Sequence, residues 1–233
     1  MTQIPLYFLP GTQCDNALWQ KVFELLPQKF SPIPLVIPSG EDLPSIVSML
    51  RKALPDGQLN LIGFSLGGYV ASLFATTYPQ QINQLLVIAN EPKALPPHEV
   101  TTRRQTLDYI KQHGYNGMPK ARICQMLSPV NHQEREIIDT IMAMDKRGGE
   151  SMLVNQLSGT TQRENLLGSL NQQSFLIKFV IGEHDNLVNT NELQQALSSD
   201  YLSIEQLENC GHMSPLESPQ ALALIIEGYF KTD

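Results

Sequence analysis

Apolar positions along the chain recur in two alternating rhythms. Short apolar or β-branched runs read as strands: Pro5–Leu9, Ile33–Ile37, Leu59–Ile62 and Leu85–Ala89. Between them, apolar residues return at helical spacing. Asp15–Leu26 carries Ala17, Leu18, Val22, Leu25 and Leu26 on one face, and Leu43–Leu54 carries Ile46, Val47, Leu50 and Leu54. Leu66–Thr77 reads as a third helix, with two early glycines and Pro79 just past its end. Pro10-Gly11 closes the first strand and Gly63 the third. Strand and helix in strict alternation predict a parallel sheet with helices on both faces.

After Ala89 the rhythm changes. From Glu91 to Asn171 only helical stretches are found: Thr101–Gln112, Lys120–Leu127, Gln133–Asp145 and Glu150–Leu157, entered through Pro92, Pro96 and Pro97. Alternation resumes with Ser174–Ile181 as strand, Thr190–Leu197 as helix, Leu202–Leu207 as strand and Ser218–Phe230 as helix. Ser218 is the expected N-cap of the last, with Pro219 at its first position. The organisation is therefore a doubly wound, mainly parallel α/β core, residues 1–90 and 171–233, interrupted by an all-helical insertion, residues 91–170.

Composition narrows the choice of function. With 42% hydrophobic and 17% charged residues over 233 positions, the chain has enough apolar surface for a sizeable core. Sixteen Lys and Arg against 23 Asp and Glu leave a net charge of −7, which argues against nucleic acid and anionic membrane as partners. The basic pairs Arg51-Lys52 and Arg103-Arg104 are isolated and read as solvated helix faces. The longest clear apolar runs, Leu85–Ala89 and Ala221–Ile226, fall far short of the roughly 20 residues a membrane helix needs. No basic n-region precedes the first apolar run, and Pro5 and Pro10 interrupt it, so no signal peptide is expected. Cys14, Cys124 and Cys210 are odd in number and lack metal-ligand spacing; reduced thiols in a cytoplasmic protein are the expectation.

The stretch that carries chemistry is Leu61-Ile62-Gly63-Phe64-Ser65-Leu66-Gly67-Gly68. It places G-x-S-x-G between a strand and a helix. A serine there sits on a strained turn, and strand and helix approach so closely that only small residues fit two positions to either side. A plain glycine-rich connection is the alternative. A serine nucleophile needs a base. Of the five histidines, His98, His113 and His132 fall in the insertion and read as surface residues, His184 follows a strand, and His212 lies between the last strand and the last helix. His212 and Ser65 thus share the carboxyl edge of the sheet, where parallel sheets place their sites. The base in turn needs a carboxylate to orient it. Asp185, in Gly182-Glu183-His184-Asp185 after a strand, is the first choice; Glu183 and Glu91 compete. The order Ser…Asp…His is the one expected of a strand-to-helix serine elbow on such a sheet. Two backbone N–H groups would complete an oxyanion hole: that of Leu66 and that of Thr12, just after Pro10-Gly11.

Taken together, Gly63–Gly67, Gly182–Asp185, Gly211-His212 and Pro10–Thr12 resemble the α/β-hydrolases, above all the small cap-bearing esterases and lactonases, such as enol-lactonases and the carrier-protein esterases of biotin synthesis. Leu9-Pro10-Gly11-Thr12-Gln13-Cys14-Asp15 continuing to Leu18-Trp19 resembles a subgroup of bacterial hydrolases in that superfamily. Many relatives have His-Gly where this chain has Pro10-Gly11, a change that keeps the backbone donor and removes any role for the histidine side chain. The first strand corresponds to the family's third, so the usual leading hairpin is expected to be missing. The resemblance implies acyl transfer on a small ester, lactone or thioester, through an acyl-enzyme on Ser65, with no metal or organic cofactor. The same triad can also serve a lyase or a carbon–carbon hydrolase; a ligand sensor that keeps the triad with negligible turnover and a sheet protein without an active serine are the remaining alternatives. The insertion is expected over the carboxyl edge of the sheet. Its Met118, Met126, Met142, Met144 and Met152 either pack it onto the core or line an adaptable pocket, with Met142 and Met144 the first to test.

Overall fold

The computed structural model describes residues 3–231. Six strands, β1 (Ile4–Leu9), β2 (Phe30–Pro34), β3 (Leu59–Phe64), β4 (Ile82–Ile88), β5 (Leu176–Gly182) and β6 (Leu202–Leu207), form one sheet in the order β2-β1-β3-β4-β5-β6. Every pairing is parallel. Because β1 is followed by a neighbour on one side and β3 lies on the other, strand order reverses at β1/β3. That is the point at which an open parallel sheet leaves a crevice beyond its strand ends.

The sheet is apolar on both sides, as burial between two helical layers demands. Leu6 and Phe8 of β1, Ile62 and Phe64 of β3, and Leu86 and Ile88 of β4 join one cluster. It also contains Val22 of α1 (Gln20–Leu25) and Leu222 and Ile226 of α10 (Pro219–Tyr229). The alternate residues Leu9, Leu61, Leu85 and Val87 face the other layer, built from α2 (Leu43–Ala53), α3 (Leu66–Thr77) and α8 (Thr190–Ala196). The period-two alternation of a strand thus feeds two cores. Among the described residues no helix is long and apolar enough to cross a membrane.

Between β4 and β5 come α4 (Pro97–His113), α5 (Lys120–Met126), α6 (Arg135–Thr160) and α7 (Leu167–Leu170), the helical cap. The stretches Gln133–Asp145 and Glu150–Leu157, expected as separate helices, are two helices that meet at a kink within α6. Gly149, at φ 60° and ψ −165°, breaks the helical backbone within it. That conformation suits glycine, which has no Cβ to clash. The short α7 was not expected, nor was α9 (Ser214–Glu217).

Other boundaries move for physical reasons. The second strand is Phe30–Pro34 rather than Ile33–Ile37, because the ladder pairs Ile4 with Phe30 and Phe8 with Pro34. As an edge strand it tolerates Pro32 and Pro34, which cannot donate to a ladder, while Val36 beyond it is 71% exposed. Asp15–Leu26 divides into a 3₁₀ turn, Asn16–Leu18, and the shorter α1, leaving Leu25 exposed. Strand β3 passes through Gly63 instead of ending there, and β4 begins three residues early at Ile82. Ser218 does precede α10, but its side chain makes no capping bond.

Candidate active site

Ser65 lies between β3 and α3 with φ 50° and ψ −115°. A side-chain-bearing residue at positive φ is strained, by about 1–3 kcal/mol where the surroundings must hold it. Here they do. The Ser65 N–H donates to the Ile88 carbonyl at 2.9 Å, and its own carbonyl accepts the Tyr69 N–H at 3.1 Å. A Cβ on Gly63 would lie 2.8 Å from Gly68 Cα, and one on Gly67 would lie 2.7 Å from the Leu9 carbonyl carbon. Both obstacles are backbone and cannot yield, which is why the motif needs glycine at both places. Gly67→Ala is expected to cost about 1–3 kcal/mol by overpacking, which thermal unfolding would read as a Tm lowered by several degrees.

His212 is buried, in the loop between β6 and α9. Its ring Nε2 lies 2.9 Å from Ser65 Oγ, and its Nδ1 lies 2.9 Å from Asp185 Oδ2. A carboxylate only accepts, so the proton belongs on Nδ1 and a lone pair on Nε2 faces the serine oxygen. The Asp185 side chain is 0% exposed. Its second oxygen, Oδ1, accepts the Leu187 N–H at 2.9 Å, and its own N–H donates to the Gly182 carbonyl at 3.1 Å. Both carboxylate oxygens are therefore engaged.

The loop Pro10–Thr12 lies against this group: a Cβ on Gly11 would be 2.9 Å from the Phe64 ring and 3.3 Å from Ser65 Cβ. Among the described residues, neither the Thr12 N–H nor the Leu66 N–H has an acceptor. Leu66 N–H stands at the amino end of α3, where the helix dipole favours negative charge.

The competing acids are engaged elsewhere. Glu91 pairs with Lys93 at 2.9 Å, which in turn pairs with Glu192 at 2.7 Å. Burial raises the Glu91 carboxyl above its ordinary value despite that lysine. Glu183 accepts the Asn209 N–H at 2.8 Å and so braces the loop leading to His212. His98 and His113 are exposed, and His132, half-buried, reaches the Leu127 carbonyl at 3.2 Å. Cys210 is near the site, but burial pushes its thiol up to about 12, so it is no rival nucleophile at neutral pH.

Sequence reasoning missed Glu217. Its Oε1 accepts the N–H groups of Gly211 (3.1 Å) and Met213 (3.0 Å), on either side of His212. Its Oε2 accepts the Ser128 N–H (2.7 Å) and the Asn131 side-chain amide (2.9 Å) from the cap. The His212 N–H itself donates to the Met126 carbonyl at 2.7 Å. One carboxylate thus ties the histidine loop to the cap. No spacing announces this, because three of the four donors are backbone groups and two come from a distant segment. Glu217→Gln must turn its amide nitrogen toward one pair of donors and leave them unsatisfied, at about 1–3 kcal/mol. The expected result is a lower Tm together with a lower kcat.

The cap packs through Ile123, Met126, Ile138, Ile141 and Met144 into the first cluster. Met144 is therefore core, and Met142 is 49% exposed. Of the cap methionines, Met152 lines a cavity of about 240 Å³, together with Pro10, Cys14, Ile37, Pro38 and Gln156. Neither Ser65 nor His212 is among the residues of that wall.

Comparison with known proteins agrees with this architecture. Residues 23–128 match the family model described as the alpha/beta hydrolase fold. A pimeloyl-[acyl-carrier protein] methyl ester esterase of Vibrio parahaemolyticus is 34% identical over a match covering 38% of this chain and 37% of that protein. A 2-succinyl-6-hydroxy-2,4-cyclohexadiene-1-carboxylate synthase of Klebsiella pneumoniae is 24% identical across 93% of this chain and 90% of its own. A solved esterase of Thermogutta terrifontis superposes with a TM-score of 0.85 at 20% identity, covering 98% of this chain and 89% of that one. The chain spans less than half the length of the first curated relatives it matches.

Proposed function

We propose that the chain, which has the α/β-hydrolase fold, is a serine esterase acting on a small ester, lactone or thioester. The observation that carries this reading is the unbroken line from Ser65 Oγ through His212 to Asp185, with both contacts at 2.9 Å. His212 Nε2 takes the serine proton as Oγ attacks the carbonyl carbon. Asp185 holds the ring and stabilises the imidazolium that forms. The N–H groups of Thr12 and Leu66 receive the charge on the carbonyl oxygen. The leaving alcohol departs with the proton from His212, and water repeats the sequence on the acyl-enzyme. Three free thiols fit the cytoplasm, a reducing compartment.

The test is a panel of nitrophenyl esters of increasing acyl length and alcohol size, run with wild type and Ser65→Ala. Wild type should turn over the small esters and the variant should not; equal rates would overturn the reading. Because the base must be unprotonated, kcat/KM should be lost in acid, where His212 carries a proton, and level off at higher pH. A rate independent of pH would speak against a histidine base.

A second reading is a lyase built on the same triad. It is supported by one observation: the match to the Klebsiella synthase runs nearly the whole length of both proteins. Covalent labelling of Ser65 by a fluorophosphonate, with no ester in the panel turned over, is the result that would set it, or a triad-retaining sensor, above the esterase.

A further inference from the structure

Three hydrogen bonds leave Gln13, and all three end in the cap. Its N–H donates to Gln156 Oε1 at 2.9 Å. Its side-chain Nε2 donates to Asp145 Oδ1 at 3.1 Å and to the Gly149 carbonyl at 3.0 Å. Since Nε2 faces two acceptors, the amide has only one sensible orientation. Gln13 has φ 55°, a left-handed conformation that a side-chain-bearing residue keeps only when its surroundings hold it. It immediately follows Thr12, whose N–H is without an acceptor among the described residues.

Asp145 is equipped to hold it. It is buried in α6, and besides Gln13 its Oδ1 accepts the Tyr115 hydroxyl while its Oδ2 accepts the Met118 N–H at 2.9 Å. Burial, reinforced by the hydrogen bond to Asp145, pushes the Tyr115 phenol far above its ordinary range, so it remains a donor. Arg147 adds a second tie two residues further along the loop, reaching both oxygens of Asp15 at 2.6 and 3.0 Å.

Resting on the reading of Thr12 as an oxyanion donor, we propose that Asp145 acts through Gln13 as a positioning residue for the oxyanion loop. The strained residue next to the Thr12 N–H makes its hydrogen bonds to the cap, while Gly11 on the other side of Thr12 packs on Phe64 and Ser65. Cap placement and completion of the oxyanion hole are then one event: a cap displaced from the sheet edge leaves Thr12 free to turn away. A donor that must stand within a few tenths of an ångström of the developing charge is sensitive to such loosening.

The test uses the full chain, with Asp145→Asn, Gln13→Met and Ser65→Ala beside wild type. Gln13→Met keeps the side-chain length and leaves Asp145 its bonds to Tyr115 and Met118, so it tests the link even if Asp145→Asn folds poorly. The substrate is nitrophenyl acetate, too small to need a cap-lined pocket. Both positioning variants are expected to lose at least about tenfold in kcat, on the scale of a weakened oxyanion donor, with KM unchanged. The Gln13 amide should lose its protection from hydrogen exchange in both. A rise in KM at wild-type kcat, or an amide that stays protected, overturns the proposal. If Ser65→Ala loses activity while both positioning variants keep wild-type kcat, this proposal falls and the hydrolase reading stands. If Ser65→Ala is as active as wild type, both fall.

Discussion

Ser65→Ala is expected to lower kcat on small esters by about 10⁶, the scale seen when a triad serine is removed, while the fold is unchanged. The substitution removes one oxygen whose partner is a histidine ring nitrogen 2.9 Å away. It leaves Gly63, Gly67 and the bond from the residue-65 N–H to Ile88 in place. Alanine meets the same strain at φ 50° as serine does, so stability should move by no more than about 0.5 kcal/mol. The two buried thiols cannot take over. Cys210 is held as a neutral thiol by burial, and Cys14, also buried, is pushed up to about 12 for the same reason. In the proposed mechanism, what remains is the binding of substrate and the oxyanion donors, which would act on attack by water alone. Initial rates with nitrophenyl acetate, fluorophosphonate labelling and thermal unfolding on the same samples decide the matter. A variant that keeps a tenth of the wild-type rate at wild-type Tm would remove Ser65 from the mechanism.

The strained G-x-S-x-G turn was legible because its constraint is local. Glycine at 63 and 67 is dictated by backbone within five residues and by the end of β1, and the strand before and helix after it have strong patterns of their own. The bounds of α3 and β6 fall where apolar spacing puts them, at Leu66–Thr77 and Leu202–Leu207. Strand β2 was misplaced because periodicity reports burial, and an edge strand with two prolines is only partly buried. Its bounds are set by register against β1, which no local pattern contains. Asp185 and His212 could be placed on the right edge of the sheet but not paired, since Glu91 and Glu183 reach the same edge. What separates them is long-range: Lys93 occupies one and the Asn209 N–H the other. Glu217, Gln13 and Asp145 were illegible for the same reason. Each is an ordinary polar residue whose meaning comes from donors and acceptors about 90 to 140 residues away.

Asp185→Asn is expected to cost about four decades in kcat, the loss that follows when a triad histidine is held in the wrong tautomer. The size depends on which way the new amide turns, and the structure decides that. In the native chain Oδ1 accepts the Leu187 N–H while Oδ2 accepts from His212 Nδ1. An asparagine carbonyl can serve only one of these donors. The Leu187 N–H is fixed by the backbone and cannot become an acceptor, whereas the imidazole can shift its proton from Nδ1 to Nε2. The carbonyl therefore turns to Leu187 and the NH₂ to the ring. Nδ1 becomes the acceptor, Nε2 carries the hydrogen, and the group facing Ser65 Oγ is now a donor that cannot remove the serine proton. Every hydrogen bond is still made, so Tm and KM should change little; the loss falls on kcat. Glu91→Gln and Glu183→Gln, which leave the His212–Asp185 contact untouched, should stay close to the wild-type rate. If Asp185→Asn retains most of its activity, or if Glu91→Gln loses more than it does, the histidine takes its orientation from another carboxylate and Asp185 is a structural brace for the turn after β5.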